Sequence, residues 1–329
     1  MKAVLAVLAT LALAGCATTD SGSGGATSAG IVKITPLGSH DGEFCPLDRA
    51  LVFEDPDGTR ILYDAGRTVR GPNDPRLGKI DAILLSHVHG DHLGDLIQPS
   101  ANAGTCAKPD FSVNVTPNSN MVNISLGKQA TMIVGGEMGS FLSAKVQSLG
   151  GDPGKLVRLV RFGAQTMVGA VMVAGVPAVH SNGLPPAFLP KEQAQALAAA
   201  GLTAYVGEPG GFVLRFSNGL TVYLSGDTGI TAEQDLVVRG HYKANLAVMN
   251  IGGFPFTTGP IESTYVVNEL VRPNAVIASH ANEPATVGGK VAPNTKTAAF
   301  ISAAKMPVHV PLSGKTMQFD GSGRCVSGC

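Results

Sequence analysis

Short apolar runs, broken by turns, dominate the chain after its first thirty residues. Ala50–Glu54 (ALVFE) and Arg60–Asp64 (RILYD) flank Asp55-Pro56-Asp57-Gly58, the mark of a hairpin. Ile80–Ser86 (IDAILLS) is short and apolar, as a strand buried on both faces would be. Further strands are predicted at Thr131–Val134, Val168–Val173, Gly211–Phe216, Leu220–Ser225, Leu246–Asn250 and Ala275–Ser279, with Ser217-Asn218-Gly219 joining two of them as a hairpin turn. Helical spacing is rarer: Gly139–Leu149, Lys191–Ala200, Glu262–Val271 and a short stretch at Leu93–Ile97. Strands fill the first part, and strands and helices recur in the second. That pattern predicts an α+β fold of two packed sheets with helices outside. Gln98–Lys128 is polar and Asn-rich, and is expected to form a loop beside the functional site.

The N-terminus follows a different pattern. Lys2 precedes the apolar stretch Ala3–Leu13, which is shorter than the roughly 20 residues a membrane span needs. The stretch ends in Leu13-Ala14-Gly15-Cys16, which resembles a bacterial lipobox. That resemblance implies cleavage before Cys16 and lipid on its thiol and new amine. An ordinary secretory signal with a chance cysteine is the alternative. Ala17, in place of Asp, points by the same likeness to the outer membrane. Thr18–Ala29 (TTDSGSGGATSA) reads as a flexible tether. The expected organisation is a signal peptide over residues 1–15, a tether over 16–30 and one domain over 31–329. The protein would be held at the periplasmic face through lipid on Cys16.

Composition narrows the function. With 24 basic and 24 acidic residues, no net charge draws the chain to nucleic acid. No Trp and 5% aromatic residues leave little surface for stacking bases. With Cys16 lipidated, Cys45, Cys106, Cys325 and Cys329 remain, an even number that suggests disulfides in an exported protein. Three pairings are open, and Cys45–Cys106 with Cys325–Cys329 is the simplest. A cysteine metal site is the rival reading, but neither pair has CxxC spacing or an adjacent His cluster.

The chemistry concentrates in Ser86–Asp95, SHVHGDHLGD, which holds three of the eight histidines. A catalytic metal site takes imidazole and carboxylate donors and keeps a position open for water. In a tight turn after a strand, His87 and His89 can face one ion while Asp91 and His92 face a second. Partners must come from distant segments. His180 and His280 each end an apolar run, and Asp227 sits on a Gly-flanked turn in LSGDTG. This places His87, His89 and His180 on the first ion, Asp91, His92 and His280 on the second, and Asp227 between them. Zn²⁺ suits these donors best, with Mn²⁺ and Fe²⁺ admitted. His40, His241 and His309 lack the strand-end context and read as surface or outer-shell residues.

The motif HxHxDH, filled by His87, His89, Asp91 and His92, resembles that of the metallo-β-lactamase superfamily. Gly211–Gly229 (GFVLRFSNGLTVYLSGDTG), Asn250–Glu262 (NIGGFPFTTGPIE) and Arg272-Pro273 are similar to the L-ascorbate-6-phosphate lactonase-like hydrolases. The likeness runs from about Ile31 to the end and implies an αββα sandwich. Ala281-Asn282-Glu283-Pro284 after His280 departs from the family's short His-Tyr context, and a sugar-phosphate substrate fits poorly with an exported protein. The implied activity is hydrolysis of a small-molecule ester, lactone or phosphoester. Asp91 is the candidate general base or orienter. Tyr205, Tyr265 and Glu262 are available as leaving-group acids, none of them singled out. Gln98–Lys128 and Ser181–Gln193 are the loops expected to choose the substrate. A true β-lactamase and a non-catalytic, lipid-anchored metal binder are the rivals. Asp227 weighs against the first and the full set of seven donors against the second. A redox role would normally need an added flavin domain, for which the chain has no room.

Overall fold

The structure, a computed structural model, describes residues 30–329. The expected signal peptide, Cys16 and the tether through residue 29 lie outside the described residues.

Six strands begin the first sheet: β1 (Val32–Pro36), β2 (Leu51–Glu54), β3 (Arg60–Tyr63), β4 (Ala82–Leu84), β5 (Thr131–Val134) and β6 (Val157–Leu159). The first three pair antiparallel, and β3 to β6 run parallel. Parallel neighbours need crossovers. Here α1 (Gly90–Leu93) and α2 (Asn120–Lys128) connect β4 to β5, while α3 (Met138–Ser148) and the one-turn α4 (Pro153–Leu156) connect β5 to β6. The second sheet holds β7 (Gln165–Val168), β8 (Val171–Pro177), β9 (Gly210–Arg215), β10 (Thr221–Leu224), β11 (Leu246–Asn250), β12 (Ala275–Ser279) and β13 (Val308–His309), side by side in that order. Pairing is antiparallel up to β10 and parallel from there to β13. Then β14 (Met317–Phe319) and β15 (Cys325–Ser327) return to the first sheet beside β1.

Alternation along the strands builds three apolar layers. Leu51 and Phe53, Ala82 and Leu84, Val222 and Leu224, and Ala275 and Ile277 meet between the sheets. Their neighbours Val52 and Ile83 face a second cluster, where Met121, Val122, Leu142 and Val146 of α2 and α3 cover the first sheet. Tyr223, Val276 and Ala278 face a third, capped by Val238, Val266, Val267 and Phe300. Strands covered on both faces read as continuous apolar runs. Each large side chain so buried contributes about 1.5–3 kcal/mol. The result is the αββα sandwich.

Several expected boundaries shift. Val168–Val173 is the bend of a hairpin, with Val168 paired to Val171 and Gly169 at φ +54°. The stretch expected as helix at Leu93–Ile97 begins earlier, as α1, and Gly94 ends it. The helix expected at Lys191–Ala200 forms as α5 (Lys191–Ala199), and the one expected at Glu262–Val271 starts as α6 (Pro260–Tyr265) and continues as a π turn over Val266–Val271. Gln98–Lys128 is not one loop, since α2 occupies its end. Its asparagines disguised the helix, but Asn120 is buried and donates to the Gly66 and Val69 carbonyls at 3.0 and 2.6 Å. Disulfides join Cys45 to Cys106 and Cys325 to Cys329, the simplest pairing. Among the described residues no helix is long and apolar enough to cross a membrane.

Phe53 is fully buried between the sheets and stacks on Phe216 with ring centroids 6.0 Å apart. Phe53→Ala is expected to cost about 3–5 kcal/mol of stability, read from the denaturant midpoint. A loss below about 1 kcal/mol would mean that the two sheets do not depend on this contact.

Candidate metal centre

Every sequence-predicted site residue follows a strand. His87 to His92 lie beyond β4, His180 beyond β8, Asp227 beyond β10 and His280 beyond β12. The two sheets contribute to one rim, where these side chains converge.

The turn after β4 is set by backbone constraints. Leu93 N–H donates to the His89 carbonyl and Gly94 N–H to the Gly90 carbonyl, both at 2.9 Å, closing the single turn of α1. Gly94 ends it at φ +84°, and a Cβ there would sit 2.4 Å from Asn120 Cβ. Gly66, at φ +54°, lies under the turn, and a Cβ there would come within 2.5 Å of the Asp91 carbonyl oxygen. Arg67 grips Asp95 just beyond, with two bonds of 2.7 and 2.8 Å.

His89 Nδ1 lies 3.0 Å from His87 Nε2 and 3.2 Å from His180 Nε2. Imidazole nitrogens this close suit donors around one ion, since Zn–N bonds of about 2.0–2.1 Å put tetrahedral donors about 3.3 Å apart. In the second group, Asp91 Oδ2 is 3.6 Å from His92 Nε2 and 3.8 Å from His280 Nε2. Asp227 stands between the groups. Its Oδ2 is 2.9 Å from His280 Nε2, 3.8 Å from His180 Nε2 and 3.9 Å from His87 Nε2, and its Oδ1 is 3.5 Å from His92 Nε2. Asp227 Oδ1 and His92 Nε2 are both buried without a hydrogen-bond partner. Buried polar atoms rarely stay unpaired, and a cation between them would satisfy both. The donor set therefore fits divalent metal.

Burial, with help from the neighbouring imidazoles, holds His87 well below its ordinary pKa and lowers His89. Burial also lowers His180 and His280. Those rings keep a lone pair at neutral pH, as metal ligands must. His92 behaves oppositely. Burial opposes its charge, but Asp227, Asp91 and Asp64 together push it up to about 10. For Asp91, burial is outweighed by His92 and Arg49, and for Asp227 by His280 and His92. Both carboxylates are held below their usual range.

Residues that sequence reasoning missed surround these donors. Asp64, at the end of β3, accepts from Ser86 N–H at 2.9 Å, from Ser86 Oγ at 2.7 Å and from His92 Nδ1 at 2.8 Å. Because Ser86 gives its hydroxyl proton to Asp64, it accepts from His87 Nδ1 at 3.0 Å, and His87 Nε2 faces the site as a lone pair. Arg49 is buried and donates Nε and Nη2 to Asp91 Oδ2 at 3.2 and 3.0 Å, and Nη2 to Asn282 Oδ1 at 2.5 Å. That bond fixes the Asn282 amide, whose Nδ2 donates to His280 Nδ1 at 3.2 Å. Asp64 ends a predicted strand, the same signal that found Asp227. Asn282 falls in the segment where the sequence leaves the family pattern. Arg49 carried no sequence signal.

The remaining histidines stay out of the cluster. His241 packs edge-on against Tyr242 and His309 against Phe319. His40 pairs with Ser39. His309 also approaches Cys325 and Cys329, whose thiols are tied up in a disulfide. Glu262 accepts from Gly259 N–H at 3.1 Å and caps α6.

A sequence profile of the beta-lactamase superfamily domain matches residues 59–281, a span holding all seven residues. A UPF0173 metal-dependent hydrolase of Cupriavidus necator is 29% identical over 279 residues, covering 80% of this chain and 81% of that protein. One from Caldivirga maquilingensis is 28% identical over 232 residues, covering 68% and 75%. Igni18, a metallo hydrolase from Ignicoccus hospitalis, superposes with a TM-score of 0.57 at 21% identity, over 88% of this chain and 99% of its own. The metallo-beta-lactamase fold protein YhfI of Bacillus subtilis gives 0.52 at 13%, over 88% and 100%. At those identities the structural likeness speaks to the fold.

Two outcomes follow for the centre. Asp64→Asn is expected to weaken zinc binding about 10–100-fold in a competition titration, because it unseats His92 and Ser86 together. Unchanged affinity would remove Asp64 from the support of the site. His92, raised from 6.5 to about 10, stabilises chelated protein fully below pH 6.5, and that contribution disappears as pH rises through about 10. Zinc added as a probe would have to displace that proton to be held by His92. Loading near neutral pH should therefore release about one proton per chain, and apparent affinity should climb about tenfold per pH unit across that window. Calorimetry in buffers of different ionisation enthalpy reads the proton count, and a count of zero contradicts the assignment.

Proposed function

The chain belongs to the metallo-β-lactamase superfamily of metal-dependent hydrolases, and from that premise we propose that it cleaves an ester, lactone or phosphoester with two divalent ions. His87, His89 and His180 would hold one ion and Asp91, His92 and His280 the other, with Asp227 shared. The observation that carries this reading is Asp227, a buried carboxylate within 3.9 Å of imidazole nitrogens from both groups. When bound, such a pair lowers the pKa of water and polarises the oxygen of the bond under attack. Zn²⁺ matches these nitrogen-rich donors best, and Mn²⁺ or Fe²⁺ would also fit.

The chain's own groups divide the remaining work. Sequence left Asp91 as proton acceptor or orienter. With Oδ2 taken by Arg49 and its acidity strengthened by His92 and Arg49, it is a poor base, and orienting is the role the geometry favours. Arg49 reaches the centre through Asp91 and Asn282 as a positioning residue. The L-ascorbate-6-phosphate lactonase likeness supports lactone as one bond type without naming the substrate. The same proposal places the domain of residues 31–329 at the periplasmic face, anchored by lipid on Cys16, and rests there on Leu13-Ala14-Gly15-Cys16.

Purified protein reconstituted with Zn²⁺ or Mn²⁺ is expected to hold close to two ions per chain by elemental analysis. Chelation should abolish hydrolysis across a panel of esters, lactones and phosphodiesters, and His87→Ala should lose metal while staying folded. Turnover of β-lactams in a separate assay of the same sample, with none of that panel cleaved, would favour the β-lactamase reading. A folded protein that takes up no ion, with His87→Ala indistinguishable from it, would sink the proposal.

A further inference from the structure

Beside the centre lies a groove of about 380 Å³, whose walls include Val179, Ile230, Phe254 and Phe256. These side chains are unusually bare, with Phe254 72% and Phe256 79% exposed. Exposed apolar surface gathered in one place marks a binding site more often than chance. Here its position is tied to the chemistry. Val179 precedes His180, and Ile230 lies three residues after Asp227. Phe254 and Phe256 sit on the lip that follows β11.

The three segments are bonded to one another. Val179 N–H donates to Thr228 Oγ1 at 3.0 Å and Gly229 N–H to the Val179 carbonyl at 3.0 Å. Thr258 N–H donates to the Thr228 carbonyl at 3.1 Å. The groove is thus built onto the loops that carry His180 and Asp227. Its floor offers one spare polar group, the buried Thr257 hydroxyl, which has no partner. Glu262, the ionisable residue lining it, is engaged in capping α6, and among the described residues no lysine or arginine lines it. A phosphorylated arm would find no counter-charge there.

We propose that this groove seats an uncharged aliphatic or aryl arm of the substrate, so that the chain acts on esters or lactones with a hydrophobic substituent and not on sugar phosphates. This rests on the hydrolase reading above. In the reaction, water gives its oxygen to the acyl carbon as the acyl carbon–oxygen bond breaks, and a proton goes to the departing alcohol.

The test uses zinc-loaded protein and three readouts, the last of them co-sedimentation with neutral lipid vesicles. The first is kcat/KM for 4-nitrophenyl esters from acetate to octanoate, with a bis(4-nitrophenyl) phosphate arm. The second is calorimetric binding of the free acids acetate to octanoate, which needs no turnover. Both are expected to strengthen by up to about fourfold per methylene, the gain of burying one CH₂. Phe254→Ser and Ile230→Ser, exposed positions whose fold is checked by circular dichroism, should cut the octanoate-to-acetate ratio about tenfold in each. Flat series in the first two readouts overturn the groove while leaving the hydrolase reading intact. A rising binding series without turnover of any ester keeps the groove and overturns the hydrolase reading. Binding to neutral lipid vesicles that Phe254→Ser weakens, with no dependence on acid length, reassigns the patch to a lipid surface and overturns the proposal.

Discussion

A buried carboxylate that lacks a counter-charge is expensive, by several kcal/mol even after relaxation. Asp227 is 5% exposed at the rim where the two sheets meet, and much around it serves to answer that charge. His87 and His92 come from the first sheet, His180 and His280 from the second. The carboxylate is therefore compensated only when both sheets are in register. Among the side chains alone, the compensation is a proton held on His92 and a hydrogen bond to His280. Divalent ions would replace these with stronger attraction. Fold and metal affinity are linked through one charge, so binding of ions would stabilise the sandwich by mass action.

The groups behind the ligands decide how much of that attraction is usable. Asp64 collects Ser86 and His92, and Ser86 in turn sets the His87 tautomer, so one carboxylate orients two rings on different sides of the turn. On the other flank Arg49 holds Asp91 directly and His280 through Asn282. A ring oriented from behind loses little freedom on taking a metal. The buried Arg49 also adds a positive charge to a pocket rich in carboxylates, which keeps Asp91 ionised.

The strands and donors that were legible in the sequence share a cause. Strands buried on both faces leave continuous apolar runs, and donors placed at the ends of such runs are visible as His or Asp after them. That logic reached His180, Asp227 and His280 across nearly two hundred residues. It missed what is set by tertiary contact. β14 pairs directly with β1 and β15 with β14, so this edge of the first sheet is built from residues far apart in the chain. The helix α2 looked like a loop because Asn120 is polar, yet its buried Nδ2 donates to carbonyls more than fifty residues away. Arg49 sits outside any strand and matters only through what it touches. The signal peptide, the tether and Cys16 fall outside the described residues and stay as the sequence left them.

Strand ends fix the donors, while the loops beyond them form the mouth. In many such folds this lets substrate preference change without disturbing the chemistry. Here the separation is incomplete. Thr228 ties the lip that carries Phe254 and Phe256 to the turn after Asp227 and, by accepting from Val179 N–H, to the segment that carries His180. The Phe254 and Phe256 side chains are free to vary, because they project from the lip largely exposed. Its backbone is not, because a shift there would move a candidate ligand. Gly252 makes the same point: a Cβ at that position would overlap the Ala281 carbonyl, next to His280, at 1.9 Å. The path of the lip is thus locked to both ends of the centre, and specificity has only its side chains to work with.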